Sequence, residues 1–116
     1  MGQQACDNMP VKHIVQEYSM EAKKIFGDKL KSVILFGSYA RGDFGADSDI
    51  DLMVLLDVPR EQLPEARKKM RDTANALDLA YDCVISSVFQ TYDIFEEHKS
   101  ALPFYQNIEK EGVFVG

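Results

Sequence analysis

The chain has 116 residues, a formal net charge of −6, and 46% hydrophobic and 28% charged residues. This composition is typical of a globular protein, and the length suits one domain with a single core. The acidic balance disfavours general nucleic-acid binding, which normally needs a basic surface. No apolar run approaches the length of a membrane span, and the N-terminus lacks the segments of a signal peptide. We therefore predict one domain over residues 1–116, with residues 1–8 frayed and no membrane contact.

The cysteines and histidines predict neither a disulfide framework nor a zinc site. Cys6 and Cys83 are the only cysteines, and neither belongs to a C-x-x-C pair. His13 and His98 stand far apart in the sequence. Two free thiols are typical of a reducing compartment, so we expect a cytoplasmic protein.

The first half of the chain predicts a helix followed by two strands. Apolar residues at helical spacing indicate a helix over residues 10–26, which Gly27 ends. The β-branched and apolar run Lys31–Gly37 is typical of a buried strand. Residues 38–48 contain two glycines and several turn formers, and we expect a loop that can include one helical turn. A second apolar strand is predicted over Asp49–Asp57.

The second half predicts a helix, a strand and further helices. An apolar stripe indicates a helix over residues 60–77. The apolar run Leu79–Ser86 predicts a third strand, and residues 87–100 a helix. A short helix over 103–111 and an edge strand starting at Val113 complete the chain.

These elements predict an α/β (α+β) domain with a small mixed sheet flanked by helices. The second and third strands flank one helix, so they should be parallel. The first and second strands are joined without a full helix, which favours an antiparallel pair. The end of the first strand should then lie beside the starts of the other two.

Chemistry-bearing residues converge on that end of the sheet. Gly37 and Ser38 follow the first strand, Asp49 and Asp51 begin the second, and Asp82 lies near the predicted start of the third. Two carboxylates two residues apart share one face of a strand and repel each other unless a cation lies between them. Mg²⁺ is typically held by one or two carboxylates together with substrate phosphates, and a third carboxylate suits two-metal phosphoryl or nucleotidyl transfer.

The glycine-serine turn and a nearby arginine suit the phosphates of such a substrate. Gly37 lets a phosphate approach the backbone closely, Ser38 offers a hydroxyl and an N–H, and Arg41 can neutralise phosphate charge. Each feature alone also has an ordinary structural explanation. The D-x-D motif can be a solvated strand end, Asp82 a cap, and Arg41 an ion-pair partner of a nearby aspartate.

The same residues resemble a known signature. Gly37-Ser38, ten residues, then Asp49-Ile50-Asp51 is similar to the signature of the DNA polymerase β-like nucleotidyltransferase superfamily. The string GSYARGDFGADSDIDLMV resembles the minimal nucleotidyltransferases (MNT), and the closing LPFYQNIEKEGVFV is similar to the C-terminal end of that group. The resemblance implies a nucleotidyltransferase core.

The resemblance also implies roles for individual residues. Asp49 and Asp51 match the metal-binding pair, and Asp82 matches a third carboxylate that binds metal or helps to deprotonate the acceptor hydroxyl. Asp78, four residues earlier, is an alternative to Asp82.

For the nucleotide, Gly37 and Ser38 match the turn that holds the triphosphate, and Arg41 matches a commonly basic position. The implied ligands are ATP as substrate and Mg²⁺, with two ions expected.

MNT proteins are often antitoxins whose partner is a HEPN-domain toxin, and several are thought to transfer AMP from ATP to a tyrosine of that toxin. The expectation is therefore a magnesium-dependent nucleotidyltransferase acting as an antitoxin. Because the chain has no room for a separate acceptor domain, we expect another molecule to present the acceptor. A non-catalytic antitoxin that acts by binding, and transfer to a small molecule in a homo-oligomer, remain alternatives.

Overall fold

The structure, a computed structural model, describes residues 8–42, 45, 48–103, 105–106 and 113–114. Helices and strands alternate along the chain. In order they are α1 (Asn8–Phe26), β1 (Leu30–Phe36), α2 (Ser38–Arg41), β2 (Ile50–Leu56), α3 (Leu63–Tyr81), β3 (Ile85–Thr91), α4 (Tyr92–His98) and β4 (Val113–Phe114). Single 3₁₀ turns at Gly27–Lys29 and Arg60–Gln62 precede β1 and α3.

The strands form one mixed sheet in the order β3-β2-β1-β4. β2 pairs antiparallel with β1 and parallel with β3, and β1 also pairs antiparallel with β4. α3 connects the two parallel strands. The predicted α+β class and mixed sheet are therefore confirmed, and the end of β1 lies beside the starts of β2 and β3.

The two faces of β2 enter different cores because side chains alternate along a strand. Ile50, Leu52, Val54 and Leu56 are fully buried in the larger core, which α1 and α3 cover. Met53 and Leu55 face the other way, into a smaller core with α4. The D-x-D motif therefore begins a strand that is buried on both faces.

The first helix follows from its apolar spacing. Residues three or four apart form the stripe that packs into the larger core. The fully or nearly buried members are Val11, Ile14, Val15, Tyr18 and Ala22. The predicted helix over 10–26 is confirmed, with two further residues at its start.

The predicted third strand over Leu79–Ser86 was wrong. α3 continues to Tyr81, and β3 begins only at Ile85. The side chain of Leu79 is 86% exposed, so this apolar residue belongs to the last turn of a surface helix and not to a buried strand.

The helix predicted over residues 87–100 was also misplaced. Its first half belongs to β3, and α4 covers only Tyr92–His98. Ser86 and Ser87 interrupt the apolar pattern of β3, which hid a strand that pairs with β2 along its whole length. Thr91 marks the real start of α4, because its side chain accepts a hydrogen bond from the backbone N–H of Ile94 at 3.1 Å.

The end of the chain agrees with the prediction where it is described. Residues 103, 105 and 106 are helical, and the rest of the predicted helix over 103–111 lies outside the described residues. The predicted edge strand is confirmed as β4, which pairs with Ile34 and Leu35. At the other terminus, Asn8 begins α1, and the rest of the segment predicted to be frayed lies outside the described residues. None of the described helices is both long and apolar enough to cross a bilayer.

Candidate active site

The turn between β1 and α2 depends on a glycine. Gly37 has φ 78° and ψ −153°, a backbone conformation that is essentially restricted to glycine. A Cβ built on Gly37 would lie 3.1 Å from Cγ and 3.3 Å from Cβ of Asp51, and it would overlap Oδ2. Because Gly37 has no side chain, the Asp51 carboxylate can occupy this volume. The glycine-serine turn and the D-x-D motif are therefore in direct contact.

The two aspartates of the motif lie at the start of β2. Asp51 is half-buried, whereas Asp49 is exposed and comes just before the strand. The backbone N–H of Ile50 donates to the carbonyl oxygen of Val84 at 2.8 Å. This bond holds the backbone next to Asp49 against the residue that precedes β3. Asp49 and Asp51 therefore lie at the end of the sheet that Gly37 occupies.

Ser38 and Arg41 belong to α2, the single helical turn that the sequence allowed in this loop. Ser38 is half-buried, and its carbonyl oxygen accepts a hydrogen bond from the N–H of Gly42 at 2.9 Å. Tyr39 is 9% exposed and anchors the turn in the larger core. The turn that carries Ser38 is thus fixed beside Asp51. The side chain of Arg41 lies outside the described residues.

Asp82 does not lie at the start of a strand, as the sequence predicted. It caps the C-terminus of α3 with φ 53°, a left-handed conformation that Asp tolerates, and its N–H donates to the carbonyl oxygen of Asp78. Within the described ranges, no three His, Cys, Asp or Glu side chains are arranged to hold one metal ion. The structure therefore does not gather Asp49, Asp51 and Asp82 into the predicted three-carboxylate set.

Asp78, the alternative to Asp82, secures the turn between α3 and β3. Its Oδ1 accepts a hydrogen bond from the N–H of Ile85 at 2.9 Å, and its carbonyl oxygen accepts one from Cys83 at 3.1 Å. Burial raises the pKa of the Asp78 carboxyl, the bond from Ile85 lowers it, and the charge of Asp49 raises it further. Asp78 therefore lies close enough to Asp49 for the two charges to interact, and it holds the start of β3 in place.

Ser86 is the residue at this site that sequence analysis missed. It is half-buried and is the β3 partner of Asp51 in the parallel register. Register partners on adjacent strands share a face, so a hydroxyl and a carboxylate lie side by side there. The sequence alone placed Ser86 at the end of the third strand. Ser86 is recognised as a neighbour of Asp51 only once β3 is known to begin at Ile85.

The chain is similar to nucleotidyltransferases in sequence. A family model described as a nucleotidyltransferase domain matches residues 17–115. Two proteins of Methanocaldococcus jannaschii, each named "putative protein adenylyltransferase", are clear relatives. One is 33% identical over 109 residues, which cover 92% of this chain and 100% of that protein. The other is 32% identical over 98 residues, which cover 84% of this chain and 90% of that protein.

Solved structures share the fold. A "putative nucleotidyltransferase" from Sulfolobus solfataricus is 22% identical, with a TM-score of 0.61 over 98% of this chain and 87% of that one. A chain in a toxin–antitoxin complex with AMP-PNP is 21% identical, with a TM-score of 0.51 over 87% of this chain and 72% of that one. A chain in the MntA-HpeT toxin–antitoxin complex is 22% identical, with a TM-score of 0.54 and the same coverage.

Proposed function

This chain belongs to the nucleotidyltransferase domain family, and we propose that it transfers AMP from ATP to a hydroxyl group of a partner protein in a magnesium-dependent reaction. The contact between Gly37 and Asp51 is the observation that carries this proposal. It joins a turn suited to phosphate with a carboxylate suited to a cation, and it does so through a backbone conformation that only glycine adopts readily.

Asp49 and Asp51 are the residues that would hold magnesium. Their oxygen atoms are the hard donors that Mg²⁺ prefers, and two carboxylates with the phosphates of ATP make a suitable ligand set without a third protein carboxylate. Bound there, magnesium would polarise the α-phosphate and stabilise the pyrophosphate leaving group. The two ions that the resemblance implies would share these carboxylates and the phosphate oxygens.

The remaining residues bind the nucleotide or face the acceptor. Ser38 would hold the β- and γ-phosphates with its hydroxyl and the N–H groups of the turn, and Arg41 would neutralise phosphate charge. Among the described residues, Asp82 belongs to no three-carboxylate cluster, and it is exposed. We therefore give it the second of its implied roles, which is to orient the acceptor hydroxyl or accept its proton.

The acceptor is proposed to be a tyrosine of a HEPN-type toxin, so that the chain acts as an antitoxin. The resemblance to the MNT group and the fold shared with chains of toxin–antitoxin complexes support this choice. An acidic protein also attracts a basic, RNA-binding partner electrostatically. We place the reaction in the cytoplasm, where ATP is available and a thiol such as that of Cys83 stays reduced.

The test is label transfer from ATP labelled at the α-phosphate to the HEPN toxin encoded next to this chain, with magnesium present. Wild type should label the toxin, and Asp49→Asn should lose about 100-fold or more in rate, since even partners of metal ligands cost 10- to 100-fold. Asp57→Asn is the matched control because it removes the same charge from an exposed residue at the opposite end of β2.

Four outcomes would count against parts of the proposal. Equal labelling by wild type and Asp49→Asn, or no labelling at all, would remove the catalytic role. If Asp49→Ala/Asp51→Ala still protected cells from the toxin at normal expression, binding alone would explain the antitoxin activity. Labelling of a small molecule such as an aminoglycoside, in place of the toxin, would identify a different acceptor.

A further inference from the structure

The net charge of the chain comes from one segment. Residues 72–98 contain six Asp or Glu residues and no Lys or Arg, whereas the rest of the chain contains thirteen residues of each sign. This acidic segment runs from the second half of α3 through β3 and α4. Three of the six acids, Asp72, Asp78 and Asp82, belong to α3 or follow it directly, and α3 ends at the end of the sheet that Asp49 occupies. The other three lie on α4, beyond the opposite end of β3.

An apolar patch lies within the acidic segment. Its members are exposed residues at the C-terminal end of α3 and in the turn after it: Ala76, Leu79, Ala80 and Val84. Leu79 is 86% exposed and Val84 is 54% exposed. We call these four residues the α3 patch. Side chains three or four apart share one face of a helix, so Ala76, Leu79 and Ala80 form a continuous surface.

The α3 patch adjoins the proposed active site. The carbonyl oxygen of Val84 accepts the hydrogen bond from Ile50, the residue after Asp49. Asp78, next to Leu79 in sequence, feels the charge of Asp49. Asp82 lies in the turn between Leu79 and Val84 and is exposed. The α3 patch therefore lies beside Asp82, at the end of the sheet that Asp49 occupies.

We propose that the α3 patch is the surface on which the acceptor protein docks. Its occupant is a protein surface that presents an apolar side chain surrounded by lysine or arginine. The apolar residues would supply contact area, and the surrounding acids would select the basic partner and speed its association. This inference rests on the proposed function for the identity of the occupant as the AMP acceptor.

The experiment measures binding of the HEPN toxin encoded next to this chain by titration calorimetry, without ATP. Leu79→Gln/Val84→Thr should weaken binding about tenfold or more, because two exposed apolar side chains become polar, while Gln remains a good helix former and Thr is β-branched like Val. Met20→Gln is the matched control, since Met20 is a 60% exposed apolar residue on α1, outside the acidic segment. It should bind as wild type does. Raising the ionic strength from about 0.01 M to about 0.1 M should weaken wild-type binding.

Catalytic measurements separate this inference from the proposed function. If transfer occurs, the double variant should raise KM for the toxin about tenfold and leave ATP affinity unchanged. Transfer with wild-type KM in the double variant would overturn the docking surface and keep the function. Weakened binding without transfer in any variant would keep the docking surface and reject the function.

Three further results would overturn the docking surface. Two of them are wild-type affinity in the double variant and no binding of the toxin to wild type. The other is a patch that serves a second copy of this chain, which sedimentation would reveal as a dimer that only Leu79→Gln/Val84→Thr dissociates.

Discussion

Replacing Gly37 by alanine tests the geometry on which the site depends. The change adds one methyl group where the backbone is at φ 78° and ψ −153°. That methyl would lie 3.1 Å from Cγ of Asp51 and overlap its Oδ2, so either the carboxylate or the turn must move. We expect a loss of stability together with a loss of magnesium-dependent ATP binding.

The expected cost has a backbone part and a steric part. Holding a non-glycine residue in this region costs about 1–3 kcal/mol. Forcing an extra methyl group into occupied space costs about 1–3 kcal/mol more. The free energy of unfolding should therefore fall by about 2–6 kcal/mol, a large part of the 5–15 kcal/mol typical of a domain.

Gly42→Ala is the matched control. Gly42 also has positive φ, 85°, but a Cβ there would meet no atom within 4 Å. It should cost only the left-handed backbone penalty of about 1–2 kcal/mol. Urea denaturation of both variants, each also in an Asp51→Ala background, completes a double-mutant cycle. Truncating Asp51 removes Cγ and Oδ2, so about 1–3 kcal/mol of the Gly37→Ala cost should disappear in that background.

The reasoning fails if Gly37→Ala costs no more than Gly42→Ala. It also fails if the effects of Gly37→Ala and Asp51→Ala add to within about 0.5 kcal/mol, since that would mean the two residues do not interact.

Three other substitutions test the surrounding structure. Asp78→Asn can still accept the hydrogen bond from Ile85 and carries no charge. The pKa of Asp78 in the folded protein is raised from 3.8, so ionisation of this carboxyl destabilises the fold. The Asn variant should therefore gain stability relative to wild type as the pH rises from about 3 to about 7. A difference in the free energy of unfolding that stays constant over this pH range, measured by urea denaturation, would contradict this. Burial raises the pKa of Tyr18 from 10.0 to about 12, despite its 2.8 Å hydrogen bond to Ser87. Wild type should therefore lose stability as the pH rises from about 10 to about 12, and Tyr18→Phe should lose less stability over the same range. Thr91→Ala removes the side chain that caps α4 and should lower the free energy of unfolding by about 1 kcal/mol, whereas Thr91→Ser should keep the capping hydrogen bond. Equal thermal stability of the two variants would argue against a stabilising cap.

The sequence predicted those parts of the fold whose local pattern agrees with their packing. In α1, the apolar residues at helical spacing from Val11 to Ala22 are buried. In β2, the residues that alternate with Asp49 and Asp51 form the larger core, as expected. The order of turns and connections was then enough to predict an antiparallel pair next to a parallel pair.

The same reasoning failed at the end of α3 and the start of β3, because the apolar sequence pattern there does not match which residues are buried. Leu79 looks like a core residue but is exposed, and Ser86 looks like the last residue of a strand but lies near the start of β3. Strand register also depends on distant segments, so the sequence did not predict the contact between Gly37 and Asp51 or the position of Ser86. Those errors placed Asp82 in a strand, where it would have joined the other two aspartates.

The position of β2 between two partner strands ties the integrity of the site to that of the whole domain. Local opening usually begins at termini and loops, whereas the amides of a strand bonded on both sides exchange only when the domain unfolds. Asp51 occupies such a strand, paired with Phe36 on one side and Ser86 on the other. The aspartate is consequently held in place before any nucleotide arrives, and little ordering entropy remains to be lost on binding. Heat inactivation and global melting should then coincide.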